Sequence, residues 1–81
     1  MVRILIVDDE EALMKALTNT LRDHGFETAG FSKAKAALAA LQESRFDILL
    51  SDLMMPEMDG IAMLRSALEI DPDIVGSVRC V

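Results

Sequence analysis

The sequence predicts an α/β fold built on a parallel sheet with helices on both faces, and three observations carry that expectation. Two runs of aliphatic and β-branched residues, Arg3 to Val7 and Ile48 to Leu50, have the pattern of strands covered on both sides. Segments with apolar residues at helical spacing alternate with them, and such alternation implies right-handed crossovers between parallel strands. Both apolar runs end at aspartates, Asp8-Asp9 and Asp52, at the strand ends where open parallel sheets place their ligands.

Each element follows in order. Arg3 to Val7 is the first strand. The four acids after it, Asp8, Asp9, Glu10 and Glu11, suit a helix start in part: the glutamates favour the positive end of a helix dipole and one aspartate can cap. Capping does not account for a second aspartate, nor for a third after another strand. From Glu10 to about His24 the spacing of Leu13, Leu17 and Leu21, with Ala16 and Thr20 beside them, predicts a helix with that face inward. Gly25 is its C-cap, and His24 in the last turn reads as a terminus residue, not a ligand.

Phe26 to Phe31 reads as a short strand at the sheet edge, since it is less apolar than the first. Ser32 is the expected N-cap of a second helix running to about Ser44, with Ala34, Ala37, Leu38 and Leu41 on one face. Lys33 and Lys35 in its first turn read as solvated charges. The central strand spans Phe46 to about Ser51 and leads into a loop that begins with Asp52, and Pro56 and Gly60 mark the turn after it. A third helix after Gly60 places Ile61, Leu64 and Leu68 on its expected inner face and stops before Asp71-Pro72-Asp73. Met54, Met55, Met58 and Met63 read as adaptable core or gap fillers. Ile74 to Val81 begins like a fourth strand, made less apolar by Ser77 and Arg79.

Length and charge bound what these elements can do. A chain of 81 residues makes one small domain that buries about 60–65% of its unfolded surface. Eight Lys and Arg against 14 Asp and Glu give a net charge of −6, which disfavours nucleic acid or an anionic membrane as a partner and favours a cation. The single cysteine, Cys80, excludes an internal disulfide and points to a reducing, cytoplasmic home; no signal-peptide pattern or membrane-length apolar run appears.

The chemistry lies in the aspartates. If the first and third strands are neighbours, Asp8, Asp9 and Asp52 meet at the carboxyl end of the sheet. Carboxylates held close raise one another's pKa and cost stability unless a cation sits among them, and a hard divalent ion, Mg²⁺ above all, is the economical answer. Aspartate-nucleophile phosphatases of the haloacid-dehalogenase type want a second aspartate two residues after the first, where this chain has Met54. No GxGxxG or P-loop follows a strand, and one histidine with one terminal cysteine makes no credible nucleophilic triad.

The segments RILIVDDE and DILLSDLMMPEMDG resemble the first strand and phosphoacceptor loop of the receiver domains of bacterial two-component response regulators, the CheY-like family. The resemblance runs from Met1 to about Val75. It implies a flavodoxin-like fold with the first strand between the second and third, and a signalling module without independent turnover. It makes Asp52 the acceptor of a phosphoryl group from a sensor histidine kinase or phosphotransfer protein. Asp8 and Asp9 then hold Mg²⁺ together with Asp52, and the backbone carbonyl of Met54 is a further ligand. A complete receiver has five strands and five helices, whereas about four strands and three helices are expected from residues 1–81. Cys80 stands roughly where the family has a hydroxyl residue, and a thiol is a weak donor to phosphate. The expectation is therefore a truncated receiver domain with impaired switching. The alternative is a receiver remnant that forms a homo-oligomer or domain-swapped dimer through an exposed sheet edge.

Overall fold

In the computed structural model, which describes residues 1–52 and 58–79 and the last three of these through their backbone only, strands and helices alternate throughout. The order is β1 (Arg3–Val7), α1 (Glu11–Asp23), β2 (Glu27–Phe31), α2 (Ala34–Glu43), β3 (Ile48–Asp52), α3 (Gly60–Ile70) and β4 (Val75–Arg79). The strands form one parallel sheet in the order β2-β1-β3-β4, so β1 lies between β2 and β3 as the resemblance implied.

Register is pinned at the amino ends of the strands. Arg3 N–H donates to the Asp47 carboxylate (2.9 Å), Asp47 N–H donates to Arg3 O (2.8 Å), and Val75 N–H donates to Asp47 O (3.0 Å). One residue thus ties β1, β3 and β4 together, and the pairing runs from Ile4 opposite Ile48 to Val7 opposite Ser51. The Arg3 guanidinium lies 4.7 Å from the centre of the Phe46 ring and donates from Nη1 to Arg45 O (2.6 Å), closing this end of the core.

The alternation of β1 explains its unbroken apolar run. Leu5 and Val7 face a core with Ala34, Ala37 and Leu41 of α2 and Met63 and Ala67 of α3, while Ile4 and Ile6 face Met14, Leu17 and Leu21 of α1. Leu5, Ile6 and Val7 are wholly buried.

The helices differ from the sequence expectation in how they are rolled. In α1 the buried residues are Met14 and Thr18, whereas Ala16 and Thr20 are exposed and Leu13, Leu17 and Leu21 only half-buried. The reason is Gly30 on β2: a β-carbon there would meet the Met14 sulfur and Thr18 Oγ1, so its absence lets the helix settle on that stripe. Thr18 Oγ1 donates to Met14 O (2.8 Å), which makes its burial tolerable.

In α3 the buried stripe is Gly60, Met63 and Ala67, with Leu64 beside it, while Ile61 is 51% exposed and Leu68 39%. Small residues at Gly60 and Ala67 allow the close approach; Leu64 packs on the core and Met63 is buried as expected, whereas Ile61 and Leu68 of the expected inner face are not. α2 buries Ala34, Ala37 and Leu41 with Leu38 half-buried, as expected. Its N-cap position is Lys33, not Ser32, and carries no side-chain cap. The C-cap of α1 is His24, one residue before the expected Gly25, and Gly25 turns the chain after it at a φ of 92°, a conformation that favours glycine. β3 begins two residues later than expected and includes Asp52, while Phe46 is buried ahead of it.

The roll of α3 separates two substitutions. Met63→Ala is expected to cost about 2–5 kcal/mol in urea unfolding, as for deletion of a wholly buried large side chain, whereas Leu68→Ala is expected to cost under about 1 kcal/mol.

Candidate metal centre

Because β1 and β3 are adjacent and in register, their carboxyl ends lie side by side. Asp52 is the last residue of β3, and Asp8 follows β1 directly. Asp8 N–H donates to Phe31 O (3.0 Å), which extends the β1–β2 ladder one residue past the strand and fixes the backbone there. The chain then turns into α1 through the Asp8 side chain, whose Oδ1 accepts the Glu10 N–H (2.9 Å). The expected capping by an aspartate is not what forms: Glu10 occupies the N-cap position, α1 starts without a side-chain cap bond, and the Asp8 carboxylate instead closes the turn that leads into the helix.

Three carboxylates converge as a result. Asp8 is wholly buried, Asp52 is 8% exposed and Asp9 is exposed, and one carboxylate oxygen of each lies within 4.8 Å of the others. Two ionised carboxylates at that separation repel by about 3 kcal/mol at an effective dielectric constant near 20. Charges are not placed so near one another, with two of the three largely out of water, without a compensating cation or a cost in stability. All three donors are hard anionic oxygens, the set that suits Mg²⁺ or Ca²⁺ rather than a soft metal.

The structure brings together the three aspartates that the sequence singled out. Met54, the expected fourth ligand, lies outside the described residues, as do Pro56 and Cys80. Lys33 and Lys35 are exposed, as expected of solvated charges. His24 is also exposed and its Nδ1 lies 2.8 Å from Thr20 O, a helix-terminus contact.

Two supporting residues escaped the sequence reading. Asp59 is the N-cap of α3, its Oδ1 accepting the Ala62 N–H (2.7 Å), and its signal was an Asp immediately before the glycine that starts the helix. Ser51, wholly buried beside Asp52, donates from Oγ to Asp52 O (3.2 Å), and nothing in a run of strand residues marks it beforehand.

Comparison with known proteins agrees with this geometry. The family described as "Response regulator receiver domain" matches residues 4–75. The chain is 42% identical over 74 residues to the response regulator receiver protein CpdR of Brucella abortus, covering 91% of this chain and 62% of that protein. It is 48% identical over 63 residues to the DNA-binding response regulator MtrA of Mycobacterium tuberculosis, covering 78% of this chain and 28% of that one. The chain thus spans less than two thirds of the length of these relatives. Among solved structures, a CheY-like receiver domain protein from Methanospirillum hungatei superposes with a TM-score of 0.93 at 29% identity, covering 99% of this chain and 64% of that one. The FixJ-N structure superposes with a TM-score of 0.87 at 34% identity, covering 99% and 64%.

Like-charge crowding gives a test that needs no ligand. In metal-free, low-salt buffer, Asp52→Asn is expected to raise unfolding stability by about 1–3 kcal/mol, and added salt should shrink that gain by screening. Urea titrations at two ionic strengths measure both.

Proposed function

Since the chain belongs to the response regulator receiver domain family, we propose that Asp52 is its phosphoacceptor, taking a phosphoryl group from a histidine of a sensor kinase or phosphotransfer protein. The observation that supports this most is the convergence of Asp8, Asp9 and Asp52 at the carboxyl end of the sheet. A nucleophile there needs exposure enough for a donor to reach it and a rigid backbone to hold it. The strand end supplies that backbone, and Asp52, though buried, keeps 8% of its surface open.

In the proposed transfer an Asp52 carboxylate oxygen bonds to phosphorus as the bond from phosphorus to the donor's imidazole nitrogen breaks. The electron pair of that bond returns to the ring, and the proton on the ring's other nitrogen leaves the departing imidazole neutral. Asp8 and Asp9 fit a hard divalent ion shared with Asp52, and the Met54 carbonyl is its further proposed ligand. Bound there, Mg²⁺ would orient the phosphoryl group and offset the charge on its oxygens, most of what phosphoryl transfer requires. The buried Asp8, tied to the Glu10 N–H, fixes one side of that set. No turnover reaction follows from these residues, so the role is that of a signalling module. A cytoplasmic location suits that role, and among the described residues no helix is long and apolar enough to cross a membrane.

A second reading is self-association of these 81 residues as a homo-oligomer or domain-swapped dimer. It is favoured by exposed apolar side chains on neighbouring elements: Ile61 and Leu68 of α3 at 51% and 39%, and Val75 at the start of β4 at 63%. Such association makes no use of the carboxylates.

Mg²⁺ therefore separates the readings. On the phosphoacceptor reading, Mg²⁺ stabilises the wild type saturably, by about 2.7 kcal/mol at a hundredfold excess over its dissociation constant, and Asp52→Asn largely abolishes the effect. With Mg²⁺ and an acyl-phosphate donor, mass spectrometry should find one added phosphoryl group on the wild type and none on Asp52→Asn. Equal modification of both proteins would remove Asp52 from the role. Self-association indifferent to Mg²⁺ and to the substitution, in light scattering, would favour the second reading.

A further inference from the structure

β2 is an edge of the sheet, and along an edge every second residue turns its N–H and C=O outward, where another strand can add. Glu27 N–H donates to Val2 O (3.1 Å) and Phe31 O accepts from Asp8 N–H (3.0 Å), so Glu27, Ala29 and Phe31 face β1. Thr28 and Gly30 therefore face out. The Thr28 carbonyl is occupied: Arg22, in the last turn of α1, donates to it from Nη2 at 2.9 Å.

Two features bring the guanidinium there. Gly25 reverses the chain between α1 and β2, and Thr28 Oγ1 donates to Thr18 O (3.1 Å), seating the strand under the helix. Other devices that guard edges are weak at this one. Its acid, Glu27, lies 3.3 Å from Arg3 Nε, so its charge is partly neutralised and repels a second copy less.

We infer that Arg22 is an edge guard: by occupying the Thr28 carbonyl it blocks strand addition at β2, and the strand it excludes is the β2 of a second copy of this chain. A second copy presents the same outward backbone groups at Thr28 and Gly30 and the same partly neutralised Glu27, so two such edges can pair about a two-fold axis with reduced like-charge cost. This inference is independent of the phosphoacceptor reading, since it involves neither Asp52 nor a metal.

The test compares wild type with Arg22→Met, which keeps the apolar stem and removes the donors, by sedimentation velocity over a concentration series and by amide exchange resolved at Gly30. Loss of one charge-assisted hydrogen bond is expected to let the variant associate at about tenfold lower concentration than wild type. The Gly30 amide should slow by about tenfold in the associated form, since it becomes a ladder donor. Arg22→Gln, too short to span to the Thr28 carbonyl, carries the same expectation should Arg22→Met fail to fold. Association unchanged from wild type, or increased association with unaltered exchange at Gly30, would overturn the inference.

Discussion

The parallel register between β1 and β3 is the constraint on which the rest of the molecule depends. It is fixed far from the acidic cluster, where Asp47 uses its side chain, N–H and carbonyl to hold Arg3 and Val75. Four residue pairs later the same register delivers Asp8 and Asp52 to one place. A slip by one residue would move Asp52 by about 3.3 Å along the strand and turn it to the other face of the sheet. The position of the candidate nucleophile is thus decided by hydrogen bonds at the opposite end of the strand it terminates. Between them lie Leu5, Ile6, Val7 and Leu49, all wholly buried, which transmit the register because a close-packed core leaves no room to slide.

That rigidity is what makes the acidic cluster tolerable. Three mutually repelling carboxylates would relax apart if they stood on loops alone. Here Asp52 is held inside a strand and Asp8 by a ladder bond at its own N–H and by the Glu10 N–H at its side chain. Asp9 remains exposed. In the proposed metal site, one exposed and two anchored acids would leave a divalent ion little to organise and much charge to neutralise.

Much of this was legible in the sequence because it depends on pattern. The β1 run reads as doubly buried and proved so, and the aspartates stood out because they follow apolar strands rather than sitting on a polar face. The strand order came from the family resemblance, since alternation alone leaves several orders open. What escaped was the roll of helices. Leu13, Leu17 and Leu21 in α1, and Ile61 and Leu68 in α3, are less buried than Met14 and Thr18 or Met63 and Ala67 of the same helices. Met14 and Thr18 gain their place from Gly30 on another strand, and Met63 from the small Gly60 and Ala67 around it. Such preferences follow from the shape of the surface a helix meets, which hydrophobic spacing within one helix does not contain. Asp59 and Arg22 escaped for a related reason, since their partners become partners only once the backbone has turned.

The two acids Asp52 and Asp59 show how rigid elements frame the segment between them. Asp52 ends a strand buried in the sheet, and Asp59 begins α3 with its carboxylate on the Ala62 N–H. The described residues on either side of 53–57 are thus both held by the fold. α3 in turn is held by Met63 and Ala67 against the same core that receives Leu5 and Val7 of β1 and Leu49 of β3.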